Sequence, residues 1–146
     1  MNKLLPKIIL GGKYTDERGQ LEFFNDFDLS EIKRVYFTTQ FNTDVIRAWQ
    51  GHTTESRWFI CVKGSFLVKL IEIDNWTNPS DDLDVFEYEL SAKKQEVLYI
   101  PNGFVNGFKA KEDNSKLMIM SNYRFNEIEN DQVRFDQNKW TKWGNK

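Results

Sequence analysis

The sequence is poor in histidine, cysteine and proline, with one, one and three of these residues among 146. A single cysteine, Cys61, excludes a disulfide within the chain, and its place in the apolar run 58–62 indicates a buried, inert thiol. No apolar stretch approaches the roughly 20 residues that a membrane-spanning helix needs. The amino-terminal apolar run is broken by Pro6 and Lys7 and is too short for a signal peptide, so we expect a cytoplasmic protein.

The chain also lacks a large excess of positive or negative charge, because the formal net charge is only −2. No strong field therefore favours binding to nucleic acid or to an anionic membrane, and we expect neither partner. Aromatic residues, by contrast, make up 15% of the chain. Aromatic side chains fill cores, and they also line pockets for flat or sugar-like ligands.

Helical periodicity is almost absent, whereas strand patterns recur along the chain. Runs rich in β-branched and aromatic residues are separated by turns of Gly, Pro, Asn and Asp. The predicted strands lie at 33–39, 65–73, 85–90, 96–100 and 116–120. This spacing predicts one all-β domain over residues 1–146, a sandwich or barrel, with a polar tail from 126 to 146 that forms a short helix or a strap across the barrel.

Three segments contain the candidate catalytic and ligand-binding residues. The first, 45–55, contains His52, the only histidine of the chain. The second, 98–108, includes Ile-Pro-Asn-Gly-Phe-Val-Asn-Gly-Phe at 100–108. The third, 121–127, reads Ser-Asn-Tyr-Arg-Phe-Asn-Glu.

The order of these segments resembles that of cupins that modify nucleotide-linked deoxysugars. Residues 16–19 (Asp-Glu-Arg-Gly) and the run 32–37 resemble the dTDP-4-keto-6-deoxyglucose 3,4-ketoisomerases, whereas 100–108 resembles the dTDP-4-dehydrorhamnose 3,5-epimerases. The resemblance implies a cupin jelly-roll β-barrel with an interior pocket. It also implies an isomerase that needs no cofactor and acts on a dTDP-linked 4-keto-6-deoxy sugar in deoxysugar or surface-polysaccharide biosynthesis, as an epimerase or a ketoisomerase.

The sequence differs from both branches at the position of the catalytic base. Aligned on Arg47, Gln50 occupies the position where both branches carry a histidine, and Asn106 replaces a histidine of the epimerase pattern. His52 falls on the second histidine of the ketoisomerase pattern. We therefore predict His52 as the general base and Gln50 as a hydrogen-bond donor to the enolate. The resemblance to the epimerases implies Tyr123 as the acid on the opposite face.

The remaining site residues follow from charge and from the resemblance. Arg47 is expensive to bury unpaired, so we expect it to bind the diphosphate, with Arg34, Arg57 or Lys69 as helpers. Glu55 is expected to orient His52. Asn106 and Trp49 are also assigned to the substrate site, although such a tryptophan is more often a core residue. Only His52 and Glu55 remain of the metal ligands that metal-binding cupins carry, so we predict no metal.

One alternative stays open, together with an expectation about assembly. Loss of the base at Gln50 is also what a catalytically silent cupin would show, one that binds a nucleotide sugar or a partner protein as a regulator. Related sugar cupins are commonly dimers that exchange amino-terminal strands, and the strand around 21–24 is suited to this exchange. We therefore expect a homodimer.

Overall fold

The protein is almost entirely β-structure. The structure, a computed structural model, describes residues 4–127 and 131–144, and within these ranges the chain forms twelve strands, one short 3₁₀ helix and no α-helix. The strands are β1 (Lys7–Leu10), β2 (Gly12–Asp16), β3 (Gly19–Phe23), β4 (Arg34–Gln40), β5 (Ile46–His52), β6 (Arg57–Lys63), β7 (Ser65–Glu72), β8 (Phe86–Ser91), β9 (Glu96–Ile100), β10 (Phe104–Ala110), β11 (Ser115–Ser121) and β12 (Gln132–Arg134), and the 3₁₀ helix spans Phe125–Glu127. The all-β prediction is confirmed, and each of the five predicted strands is present within one residue of its expected bounds.

Two five-stranded sheets form the body of the molecule. The first sheet has the order β1-β9-β6-β11-β4 and the second has the order β12-β5-β10-β7-β8, while β2 and β3 form a separate hairpin. All neighbouring strands pair antiparallel. Many of the neighbours in a sheet are distant in the chain, which is the double-sheet arrangement of a jelly roll.

The main core lies between the two sheets. Strand β7 shows how it forms, because alternate side chains of a strand point to opposite faces. Phe66, Val68 and Leu70 are fully buried in the interior cluster, whereas Ile71 belongs to a second cluster on the outer face of the sheet. Each such buried apolar side chain contributes about 1.5–3 kcal/mol to folding.

The carboxy-terminal segment is a strap, one of the two predicted forms. After β12, residues 135–143 cross the outer face of the second sheet and form its second apolar cluster with Trp49. The indole of Trp49 donates to the Lys139 carbonyl at 3.0 Å and packs against Trp143. Gly107 permits this close approach, because a Cβ there would lie 2.8 Å from the Trp143 ring.

Cys61 is buried, as predicted, and burial raises the pKa of its thiol to about 11. No helix among the described residues is long and apolar enough to span a membrane.

Candidate functional site

The interior of the first sheet changes from apolar to polar toward one end of the barrel. In the register of β4, β11 and β6, Arg34 lies opposite Ser121, and Ser121 lies opposite Arg57. Two residues further along these strands, the corresponding interior row is Tyr36, Ile119 and Phe59. Side chains two residues apart share a face. The polar row therefore stands directly above an apolar floor.

The second sheet contributes amide and imidazole groups at the same end. Gln50 of β5 pairs directly with Asn106 of β10. A Cβ on Gly51 would collide with Trp76 and Val105 in the outer cluster, so Gly51 faces outward. Gln50 and His52, on either side of it, therefore share the inner face, as the alternation of a strand predicts.

A bulge in β5 brings Arg47 to the same side as Gln50. The pairing with β10 shifts between Asn106, which is opposite Gln50, and Phe108, which is opposite Arg47. Two residue steps on β10 thus match three on β5. In a regular strand, residues three apart point to opposite faces, and the extra residue reverses this.

These residues enclose a cleft of about 330 Å3, a size typical of small-ligand sites. It is lined by Tyr36, Thr38, Ile46, Arg47, Ala48, Trp49, Gln50, Arg57, Asn106, Phe108, Ile119 and Arg134. Three of the lining residues are arginines, and none of those that the structure describes is acidic. Arg47 and Arg134 are exposed and form no ion pair within the described ranges, so their charge is available to an anion.

Behind the cleft wall, Glu55 is the centre of a buried polar cluster. Its side chain is 1% exposed, and its Oε2 accepts a hydrogen bond from the Ser121 hydroxyl. The same oxygen lies 3.4 Å from Nε of Arg57 and 3.7 Å from a terminal nitrogen of Arg34. Two guanidinium groups thus compensate the buried carboxylate, without which its burial would be strongly unfavourable.

His52 belongs to this cluster rather than to the cleft wall. It is 2% exposed, and its Nε2 lies 3.7 Å from Oε1 of Glu55, beyond hydrogen-bond distance. Burial, and then the positive charge of Arg57, lowers the pKa of His52 to about 3. The imidazole is therefore neutral near pH 7 and retains the free lone pair that a proton acceptor needs.

At the polar end of the barrel, several buried polar atoms have no hydrogen-bond partner in the described part of the chain, although Arg57 Nε remains in its ion pair with Glu55. Among the described residues, buried polar atoms without a hydrogen-bond partner are Arg34 Nε, His52 Nε2, Glu55 Oε1, Arg57 Nε and one Nη, Asn106 Oδ1 and, further away on β4, Gln40 Nε2. Such atoms are rare in folded proteins because each is unfavourable by about 1–3 kcal/mol. Their concentration beside one cleft is what a site for a polar ligand or ordered water requires.

Asp131 of the carboxy-terminal segment holds the loop that presents Glu55. Its carboxylate accepts hydrogen bonds from the backbone amides of Thr53, Thr54 and Glu55 at 2.8–2.9 Å, and from the Thr53 hydroxyl. Burial acts to raise the pKa of Asp131, but these hydrogen bonds outweigh it and hold the pKa below its usual value. Asp131, just before β12, thus positions the buried carboxylate of the site.

The structure brings together most of the residues that the sequence analysis selected. Gln50, Arg47, Arg57 and Asn106 line the cleft, with Trp49 at its border, and His52, Glu55 and Arg34 form the cluster behind it. Trp49 contributes little accessible surface, because its indole is 1% exposed beneath the strap.

Two predicted site residues lie elsewhere. Lys69 follows Val68 and precedes Leu70, both interior, so the strand alternation places it on the outer face, where it donates to Thr141 and lies over Trp143. Tyr123 lies beyond the end of β11, where the chain leaves the sheet, and borders a separate surface depression with Ser30 and Glu127. Neither residue is among those that line the cleft.

Three residues of the site were missed. Tyr36 lines the cleft, with the guanidinium of Arg34 4.7 Å from its ring; its alternation with Arg34 on a predicted strand was the available signal. Arg134 and Asp131 lie in the polar tail, where no local pattern indicated that β12 pairs with β5. In the part of the chain that the structure describes, no group of three His, Cys, Asp or Glu side chains is placed to hold a metal ion.

Comparison with known proteins gives concordant results. The family model of the dTDP-4-dehydrorhamnose 3,5-epimerases matches residues 8–143. The probable low-salt glycan biosynthesis epimerase Agl13 of Haloferax volcanii is 31% identical over an alignment of 109 residues, which covers 71% of this chain and 68% of that protein.

Two solved structures illustrate the fold. A mutant of the 3,4-ketoisomerase QdtA from Thermoanaerobacterium thermosaccharolyticum, in complex with TDP-4-keto-6-deoxyglucose, superposes with a TM-score of 0.69 at 22% identity, covering 89% of this chain and 87% of the other. The dTDP-4-dehydrorhamnose 3,5-epimerase of Bacillus anthracis, with TDP and PPi bound, gives a TM-score of 0.73 at 14% identity and covers 91% and 79%. This likeness establishes the cupin jelly-roll fold that the sequence predicted.

Proposed function

The chain belongs to the dTDP-4-dehydrorhamnose 3,5-epimerase family, and from this premise we propose that it epimerises or ketoisomerises a dTDP-linked 4-keto-6-deoxy sugar in deoxysugar or surface-polysaccharide biosynthesis. The observation that carries the proposal is the cleft with three arginines and no acidic lining residue among those described. Guanidinium groups bind phosphate oxygens through paired, charge-assisted hydrogen bonds. Arg47 and Arg134 at the exposed edge, with Arg57 deeper, match an entering diphosphate.

The reaction needs a proton acceptor beside the sugar. The 4-keto group acidifies the protons at C3 and C5, and removal of one gives an enolate. Return of a proton to the other face gives an epimer. Deprotonation at C3 followed by protonation at C4, with transfer of the hydroxyl proton from O3 to O4, gives a ketoisomer. A positioned base contributes about 10²–10⁴-fold to such a step, and no step needs a redox cofactor.

We assign the base to His52 and the stabilisation of the enolate to Gln50. His52 is neutral near pH 7 and has an unpaired Nε2, and the Gln50 amide faces the cleft from the same side of β5. A diphosphate that binds Arg57 would draw this side chain away from the cluster. That movement would open the cleft toward His52 and remove part of the positive potential that lowers its pKa.

Tyr36 is the second candidate for proton transfer. It lines the cleft, whereas His52 lies behind the wall, and its phenol stands beside two guanidinium groups. The position of His52 also favours the alternative of a silent binder, in which the cleft holds a nucleotide sugar without chemistry. A base at His52, a base at Tyr36 and a silent binder each predict a different result for proton exchange with solvent.

The deciding experiment is exchange with solvent deuterium. TDP-4-keto-6-deoxyglucose is incubated with the protein in D2O, and the label is located by NMR. We expect deuterium on the ring; label at C3 and C5 indicates 3,5-epimerisation, and label at C4 of a 3-keto product indicates ketoisomerisation. A wild type that binds dTDP but exchanges no proton with any 4-keto sugar is the silent binder.

Single substitutions then identify the base. His52→Asn should abolish exchange and leave dTDP affinity within about tenfold, roughly 1.4 kcal/mol, while Gln50→Ala slows exchange less. Tyr36→Phe is compared with Tyr123→Phe, the same change outside the cleft. Exchange at the wild-type rate in His52→Asn, together with its loss in Tyr36→Phe but not in Tyr123→Phe, would assign the base to Tyr36.

We further propose that the protein is a homodimer. Strand β4 lies at the edge of the first sheet, and its outward residues Val35 and Phe37 are about half exposed. The hairpin β2–β3, which includes the exposed Leu21, is separate from both sheets and is available for exchange with a second copy. Light scattering at micromolar concentration should give the mass of a dimer, and a monomer mass throughout would contradict the proposal.

A further inference from the structure

Asn106 is the most deeply buried amide at the cleft. Its side chain is 2% exposed, and it stands on the inner face of β10 between Phe104 and Phe108, which are also buried. Its Oδ1 has no hydrogen-bond partner among the described residues, yet the residue lines the cleft. A buried acceptor without a partner in the protein is satisfied by an ordered water or by a donor on a ligand. The site therefore suits a ligand that supplies a donor.

The missing partner must be a hydrogen-bond donor. The phosphate oxygens of a nucleotide at neutral pH only accept hydrogen bonds, and the arginines of the cleft suit them better. A sugar hydroxyl both donates and accepts. It could donate to Oδ1 of Asn106 and accept from the amide of Gln50, the residue directly opposite on β5. The pair of facing amides therefore matches a hydroxyl better than any other group of a nucleotide sugar except the imide of thymine.

We propose that Asn106 is a specificity-determining residue, which accepts a hydrogen bond from the C2 or C3 hydroxyl of the hexose ring. Asn106 pairs with Gln50 and lines the same cleft as Arg57, which contacts Glu55 of the His52 cluster, so we place it at the reacting sugar rather than at the nucleotide base. The proposal rests on the proposed function, because it states which part of the nucleotide sugar occupies this position.

The test separates the sugar from the nucleotide. Affinities for dTDP and for dTDP-glucose are measured by calorimetry; dTDP-glucose carries both hydroxyls and has no keto group, so it is not turned over. In Asn106→Leu, which has a similar volume and no amide, we expect dTDP-glucose to bind about three- to tenfold more weakly, as for loss of one neutral hydrogen bond, and dTDP to bind as in the wild type. The matched control, Asn25→Leu in an exposed turn, should change neither affinity.

Stability gives a second readout that a merely structural role would not reproduce. Removal of an unpaired buried acceptor should leave the melting temperature of the unliganded Asn106→Leu protein unchanged or raise it. Equal weakening of dTDP and dTDP-glucose would overturn the proposal, because Asn106 would then contact the thymine or support the cleft as a whole. Wild-type protein that binds neither ligand would contradict the proposed function itself.

The wild type alone also decides the question if the variants fail to fold. Of dTDP-2-deoxyglucose and dTDP-3-deoxyglucose, one should bind to the wild type about three- to tenfold more weakly than dTDP-glucose. Wild-type protein that binds all three with equal affinity forms no hydrogen bond to either hydroxyl, and the proposal would be wrong.

Discussion

The two halves of the barrel interior are built on the same strands and differ in chemistry. In the apolar half, around Phe59, Phe66 and Leu117, the buried side chains are hydrocarbon and need no partner. In the polar half, formed by Arg34, His52, Glu55, Arg57, Asn106 and Ser121, almost all side chains are equally buried, but several of their atoms have no hydrogen-bond partner. The apolar half contributes stability, whereas the polar half keeps unfavourable groups that a ligand can satisfy. Such a division is typical of proteins whose functional site is less stable than the rest of the fold.

The largest effect should come from the apolar half. Phe66 is fully buried and makes an edge-to-face contact with Phe108, so Phe66→Ala should lower the free energy of unfolding by about 3–5 kcal/mol. Urea unfolding measures the change. Phe41→Ala, at a phenylalanine that is 75% exposed, is the matched control and should change stability by less than about 0.5 kcal/mol. Equal losses of stability at Phe66 and Phe41 would contradict the prediction that the apolar half of the interior provides the stability.

The second-largest loss of stability should come from breaking the polar cluster. Glu55→Gln removes the negative charge between Arg34 and Arg57 and leaves buried guanidinium groups without a counter-charge. We expect a loss of about 3 kcal/mol in urea unfolding at pH 7, compared with no measurable loss for Glu17→Gln, which is exposed. A loss below about 1 kcal/mol would show that the polar half is not held together by this carboxylate.

Acid should destabilise the polar half before the apolar half. Because the pKa of His52 in the folded protein is lowered to about 3 from an unfolded value near 6.5, the unfolded chain binds the proton more readily between these values. Stability should therefore fall as the pH falls through this window, by about 2–3 kcal/mol between pH 7 and pH 4.5.

The matching measurement is urea unfolding at both pH values, for the wild type and for His52→Asn. The variant should lose correspondingly less stability on acidification. Asp131, whose pKa is also lowered, contributes stability that is present above its unfolded pKa near 3.9 and is lost as the pH falls through its lower folded pKa, mostly below the pH 4.5 limit of this measurement. An identical loss in both proteins would mean that His52 is not responsible.

The smallest expected effect is on ligand affinity, from a substitution in β12. Arg134→Ala should weaken dTDP binding about tenfold, roughly 1.4 kcal/mol, and reduce its dependence on salt, with stability changed by less than about 0.5 kcal/mol. Calorimetry at two salt concentrations measures this. Arg18→Ala, at an arginine whose side chain is 81% exposed and remote from the cleft lining, is the control. Unchanged affinity in Arg134→Ala would exclude Arg134 from ligand binding.

The sequence correctly predicted the strands of the barrel body and the shared inner face of Gln50 and His52, while the roles of the site residues stay predictions. Gln50 and His52 are two residues apart on one strand, so a common face followed directly from strand geometry. The same geometry places Lys69 away from the cleft: because Val68 and Leu70 are interior, Lys69 faces outward. Tyr123 was placed by resemblance, and the end of β11 at Ser121 removes it from the cleft.

The sequence by itself determined the all-β class, the strand positions and the inner and outer faces, because these depend on a local alternation of two residues. Only the tertiary structure decided how the polar half is completed. Asp131 reaches the loop at Thr53 across 78 residues, β12 brings Arg134 opposite Gln50, and a bulge turns Arg47 to the same side. These contacts depend on pairing between distant segments, and no local pattern in the chain encodes which strand edge a short, polar segment will join.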